Sequence, residues 1–154
     1  MLNGRWRVFA VEIESGNTAS VDTQGTGWFI GFSEWTRNAP SDGHHHPAAD
    51  LRFMPRETQA QSLQVKWMVH PVGDPRGESK PISNGRTISI LVSETGRFHL
   101  EFAPDAGFDP ARVERHLLRR HGDFLIWGAG LHHRWWVEET CTILTLRWVP
   151  IAQR

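Results

Sequence analysis

Apolar and polar positions along this chain alternate in short runs that end at Gly, Pro, Asn or Asp, the pattern of β-strands joined by turns. "RWRVFAVEI" sets Trp6, Val8 and Ala10 on one face, and "GTGWFIGFSEW" opposes Trp28, Ile30 and Phe32 to Phe29 and Gly31. "SLQVKWMVH" alternates Leu63, Val65, Trp67 and Val69 against Gln64, Lys66, Met68 and His70. The clearest run is "RTISILVS", with Ile88, Ile90 and Val92 opposed to Thr87, Ser89 and Leu91. After the turn "SETG" comes "RFHLEF", which predicts a β-hairpin with the preceding run. A second hairpin is predicted from "LHHRWWVEE" and "TCTILTLRWVP".

Two segments break the pattern. Residues 36–56, rich in Pro, Gly and Asp, read as a long excursion able to act as a lid. "DPARVERHLLRRHG" fits a short helix, with Asp109 as N-cap and Pro110 in the first turn. It also fits a strand, "VERHLLRR", and the strand is preferred because the chain then returns directly into "GDFLIW". Eight or so short strands with a polar loop every ten residues or so predict an all-β sandwich or jelly-roll barrel. At 154 residues the chain has the size of one domain, 1–154.

Composition removes several classes of partner. Lys plus Arg and Asp plus Glu both number 17, so no basic surplus favours nucleic acid or an anionic membrane surface. The N-terminal stretch has no apolar run long enough for a signal peptide or a membrane span, and the single cysteine, Cys141, has no intramolecular disulfide partner. A cytoplasmic location is expected. Cys141 lies within a strand pattern, where a small buried residue is the simpler reading than a nucleophile. No phosphate loop and no G-x-S-x-G elbow is present.

The stretch "GDFLIWGAGLHHRWW" carries the most chemistry, and it resembles the second motif of the cupin family: Gly122, Gly130 and His133 stand at the motif's glycines and histidine. Gly128 replaces the usual proline and Val137 the frequent asparagine. "TISILVSETGRFHLEF" is similar to the centre of the first cupin motif, so the resemblance spans roughly Leu63 to Val149. It implies an all-β, cupin-like double-stranded β-helix, a jelly-roll barrel. In metal-binding cupins the first motif supplies two histidines and a glutamate, and the second a further histidine. Here Pro81 and Ser83 fall near the histidine positions and Thr87 near the glutamate, leaving His133 as the one matching ligand. No metal and no cofactor is therefore expected.

Strand alternation lets only one of His132 and His133 enter the barrel, and the resemblance selects His133, with Trp135 and Val137 on the same inward face. Lys66 is the expected acid–base partner of His133, and Met68, His70, Thr87, Ser89 and Trp135 are the expected ligand contacts. Such a pocket would suit a small polar or anionic organic ligand, handled by a metal-independent isomerase or lyase. Alternatives are a binding or sensory module without turnover, an oxygenase with non-standard ligands drawn from His70, His99 and Glu101, and an ordinary packed core around a satisfied histidine. His99 and Glu101 read more simply as an outer face paired across strands, and "HHH" at His44, His45 and His46 as a loop that binds metals adventitiously. Glu138 and Glu139 read as solvated charge in a hairpin turn. Exposed sheet edges and surplus tryptophans make a homodimer the expected assembly.

Overall fold

The computed structural model describes residues 13–21, 27 and 60–151. The expected strands around Trp6, Val8, Trp28, Ile30 and Phe32, the 36–56 excursion and the three histidines at 44–46 lie outside these residues. The described strands are β1 (Glu14–Asn17), β2 (Ala60–His70), β3 (Arg86–Leu91), β4 (Arg97–Ala103), β5 (Glu114–Leu118), β6 (Asp123–Trp127), β7 (His132–Glu139) and β8 (Cys141–Pro150). They form two antiparallel sheets, one in the order β1-β6-β3-β8-β2 and one in the order β5-β4-β7. The all-β class is as the alternation predicts, but among the described residues the sheets face each other without closing into one barrel.

Both predicted hairpins are absent. β3 is paired on one edge by β6 and on the other by β8, so no edge is left for β4, which pairs with β5 and β7 in the opposite sheet. β7 and β8, separated only by Thr140, likewise belong to different sheets. A strand–turn–strand sequence looks the same whether the chain folds back within a sheet or turns a corner between two, and here it turns corners. Glu138 and Glu139 consequently end a strand instead of forming a hairpin turn. The segment after Asp109 is a strand, β5, as preferred; Asp109 caps only a turn, its side chain accepting the Ala111 N–H at 3.0 Å.

The inner faces of the two sheets bury Leu91, Phe98, Leu100, Phe102, Leu125, Trp127, Trp135, Val137 and Ile143 in one continuous core. The other face of the five-stranded sheet carries a second buried cluster of Ile88, Ile90, Phe124, Ile126 and Trp148. On β2 the apolar set is the outward one: Leu63, Val65, Trp67 and Val69 are each more than half exposed, while Lys66 and His70 face the space between the sheets. Among the described residues no helix is long and apolar enough to cross a membrane.

Candidate functional site

Between the sheets lies a cavity of about 270 Å³, walled by β2, β3, β8 and β6 on one side and by β4 and β7 on the other, with residues 80–84 along its rim. Its lining includes six of the seven residues expected from the sequence: Lys66, His70, Thr87, Ser89, His133 and Trp135. Met68, between Lys66 and His70 on the same strand face, is half-buried but does not line the cavity. Alternation in β7 fixes His133 and Trp135 inward; its partners His132, Arg134 and Trp136 point the other way, Trp136 lying parallel against His99 at 4.8 Å.

His133 is held in place from two directions. Phe102 lies at 6.2 Å and Trp127 at 5.4 Å between ring centroids. Below it, Ser83 stitches the rim to the turn before β7: its Oγ donates to the Gly128 carbonyl at 2.8 Å and accepts the Leu131 N–H at 3.1 Å, and its carbonyl accepts the Gly130 N–H at 2.7 Å. Gly130 has φ +84°, which favours glycine in this turn. Burial, followed by the charges of Arg147, Lys80 and Lys66, lowers the His133 pKa to about 4, so its imidazole is neutral at pH 7. Two buried polar atoms of side chains in this lining, His133 Nδ1 and Trp127 Nε1, have no hydrogen-bond partner among the described residues.

A second imidazole is set by a different device. His70, 2% exposed, packs edge-on to Trp135 at 4.6 Å, and its Nδ1 lies 3.2 Å from Asp74 Oδ2. Arg76 grips the same carboxylate, with Nε at 2.7 Å from Oδ1 and a further close contact from its terminal nitrogen. The Arg76 guanidinium therefore holds the Asp74 carboxyl well below the ordinary range. An ionised carboxylate only accepts, so His70 Nδ1 carries the proton and Nε2 keeps the lone pair. Burial nonetheless lowers the His70 pKa, with the Asp74 bond opposing it. The Asp74–Lys80 loop reaches this position because Gly77 lies against β7: a Cβ there would stand 1.9 Å from the Trp135 carbonyl oxygen.

Three cations share the lining, Lys66, Lys80 and Arg147. Lys80 Nζ sits 5.5 Å above the Trp135 ring, and Arg147 Nε donates to Thr87 Oγ1 at 3.0 Å. Desolvation and the neighbouring charges of Lys80 and Arg147 lower the Lys66 pKa. Sequence reasoning missed Asp74, Arg76, Lys80, Trp127 and Arg147. Arg147 had a usable signal, since it shares the parity of Cys141, Ile143 and Thr145 in β8, whereas Asp74, Arg76 and Lys80 stand in a loop with no periodicity to read.

The cavity does not fit a cupin metal. Pro81, Ser83, Thr87 and His133 do gather on its wall, as the resemblance aligns them, but Ser83 and Thr87 are engaged with the protein, and the charges of three cations in the same lining act on His133. Among the described residues no three His, Cys, Asp or Glu side chains form a metal-binding group. His99 and Glu101 lie on the outer face of β4, His99 bonded to Glu138 at 2.6 Å and Glu101 held between Arg115 and Arg134 at 2.7 and 2.5 Å. Comparison with known protein families, curated proteins and solved structures finds no match for this chain.

Proposed function

We propose that this chain is a cupin-like jelly roll that binds a small polar or anionic organic ligand between its sheets and acts on it as a metal-independent isomerase or lyase. The jelly-roll reading draws support from the connectivity: from β3 onward the chain crosses between the sheets at every connection except β4 to β5. The residue 83 segment, bonded to Gly130 and Leu131, runs beside the start of β7.

The observation that carries the ligand reading is the pair of buried atoms without a hydrogen-bond partner among the described residues, Trp127 Nε1 and His133 Nδ1, in two side chains that line one cavity. Native proteins leave few such groups unpaired, and each costs about 1–3 kcal/mol when left so. A ligand offering an acceptor to the indole and a hydrogen-bonding group to the imidazole removes that cost. Proton transfer is supported by groups on facing walls: Lys66 and His70 on β2 stand across the cavity from His133 on β7. An imidazole whose Nε2 keeps its lone pair is suited to remove a proton from a carbon acid, and a lysine ammonium of lowered pKa to return one elsewhere.

A second reading, binding without turnover, is favoured by the low proton affinity of His133, which makes that ring a poor base at neutral pH. One experiment separates the two. The protein is screened by saturation-transfer NMR against small hydroxy acids, oxo acids and polyols, then incubated with each binder in D2O. Binding that weakens in Trp127→Phe and His133→Ala, with deuterium entering a ligand C–H, is the expected result. Binding without exchange selects the sensory reading, and a panel bound no differently by the variants refutes the site.

A further inference from the structure

The charge on the cavity walls specifies the ligand further, if the cavity is the ligand site proposed above. Lys66 and Arg147 come from neighbouring strands: Lys66 is in register with Thr145, which places Arg147 at the diagonal position, within reach of a shared ligand. Lys80 enters from the rim and lies over Trp135 of the opposite sheet, so positive charge stands on both sides of the space. The described lining contains no Asp or Glu. Asp74 in the adjoining loop, whose charge reaches Lys66, is taken by Arg76 and His70. Among the described residues none of the three cations has a carboxylate within salt-bridge distance. Arg147 commits Nε to Thr87, which leaves the terminal nitrogens of a planar fork suited to a carboxylate or phosphate.

We propose that the ligand is a small organic dianion, with one charged end on Lys66 and Arg147, the other on Lys80, and its uncharged middle against Trp127 and His133. Without it, like charges converge: Arg147, Lys80 and Lys66 all disfavour a proton on His133, and Lys80 and Arg147 disfavour the charge on Lys66. A dianion reverses each of these repulsions. The volume, about 270 Å³, lies just below the range of about 300–1,000 Å³ that holds drug-sized molecules, which selects a short dicarboxylate or a small phosphomonoester over a nucleotide. Where metal-binding cupins gather ligands for a cation, this chain gathers positive charge suited to an anion.

The test is calorimetric titration of the full chain at fixed ionic strength. The probes are malonate, succinate, glutarate and glycerol phosphate, with succinamate as the singly charged control, succinamide as the neutral one, and inorganic phosphate and sulfate. At least one organic dianion is expected to bind about tenfold or more tighter than its singly charged counterpart. Lys80→Gln and Lys66→Gln are each expected to weaken it by about tenfold with unchanged thermal melting, because Lys66 is exposed and Lys80 only half-buried. Which dianion binds, carboxylate or phosphate, identifies the source of the charge. The proposal is overturned if succinamide binds as tightly as succinate, a result that keeps the ligand site and removes its charge selectivity. It is equally overturned if inorganic phosphate matches every organic dianion, or if no dianion binds. Loss of binding by all probes, neutral ones included, removes the cavity reading as well.

Discussion

His133 is a base that the fold keeps neutral, and that leaves a measurable mark on stability in acid. Burial comes first among the causes, followed by the positive charges of Arg147, Lys80 and Lys66 facing it from β8, the rim and β2, and by His132 beside it; together they lower its pKa from 6.5 to about 4. In the unfolded chain the ring meets water and titrates near 6.5. Between these values the unfolded state binds a proton that the native state refuses, so stability rises with pH across the window. The contribution is complete above about pH 6.5 and is lost as the pH falls toward 4. At about 1.4 kcal/mol for each pH unit, the gap amounts to about 3 kcal/mol. His133→Gln keeps a planar polar group and does not titrate. Urea unfolding of both proteins from pH 7.5 to 4, in buffers of monovalent ions so that no dianion occupies the cavity, should show the stability difference between wild type and variant falling by about 3 kcal/mol. The His70 contribution cancels in the difference, because its causes are burial, Asp74, Lys66 and Arg76 and do not include His133. A difference that stays flat from pH 7 to 4, or a folded-state NMR titration of His133 near 6.5, refutes the reasoning.

Asp74→Asn removes the charge that Arg76 and His70 share, and because Arg76 is nearly half exposed the loss should be modest, about 1–2 kcal/mol, or about 3–6 °C in melting temperature. The Asp74 carboxyl is held below its ordinary pKa, so its contribution is present above about pH 4 and fades below it. Melts of the two proteins should accordingly converge in acid, and a gap that is as wide at pH 3 as at pH 7 contradicts the pairing. Cys141 is buried, and desolvation with the charge of Glu139 pushes its thiol up to about 11. A thiol-disulfide reagent should therefore label it slowly in native buffer and at the rate of a free thiol in urea; fast native labelling would place it in reach of solvent.

Much of the candidate site's lining was legible because strand alternation is a strong physical signal. One parity choice in β7 puts His133, Trp135 and Val137 inside together, and one in β2 puts Lys66 and His70 inside, even though the more apolar set on that strand faces out. The same argument placed Thr87 and Ser89 on the inner face of β3. Alternation says nothing about which strand lies beside which, and both predicted hairpins failed on that point. Gly96 and Thr140 stand at corners between sheets, and the pairing of β3 with β6 and β8 depends on residues far away in sequence. Asp74, Arg76 and Lys80 escaped for a related reason. Their loop is positioned by Gly77 against β7 and by Ser83 against Leu131, contacts between segments about fifty residues apart that no local pattern encodes.

The crossing of the chain between sheets also governs how the molecule comes into being. β1 finds its partner in β6, β2 in β8 and β4 in β7, each ladder closing a long loop before it gains any stabilisation. High contact order of this kind places refolding in the millisecond-to-second range typical of β-sandwiches. The walls around His133 come from strands spread between residues 66 and 147, so the cavity cannot exist until the β2–β8, β3–β6, β3–β8 and β4–β7 ladders have all formed. Recovery of binding of the proposed ligand during refolding would thus be a clock for the final step of assembly, later than the gain of β-structure itself.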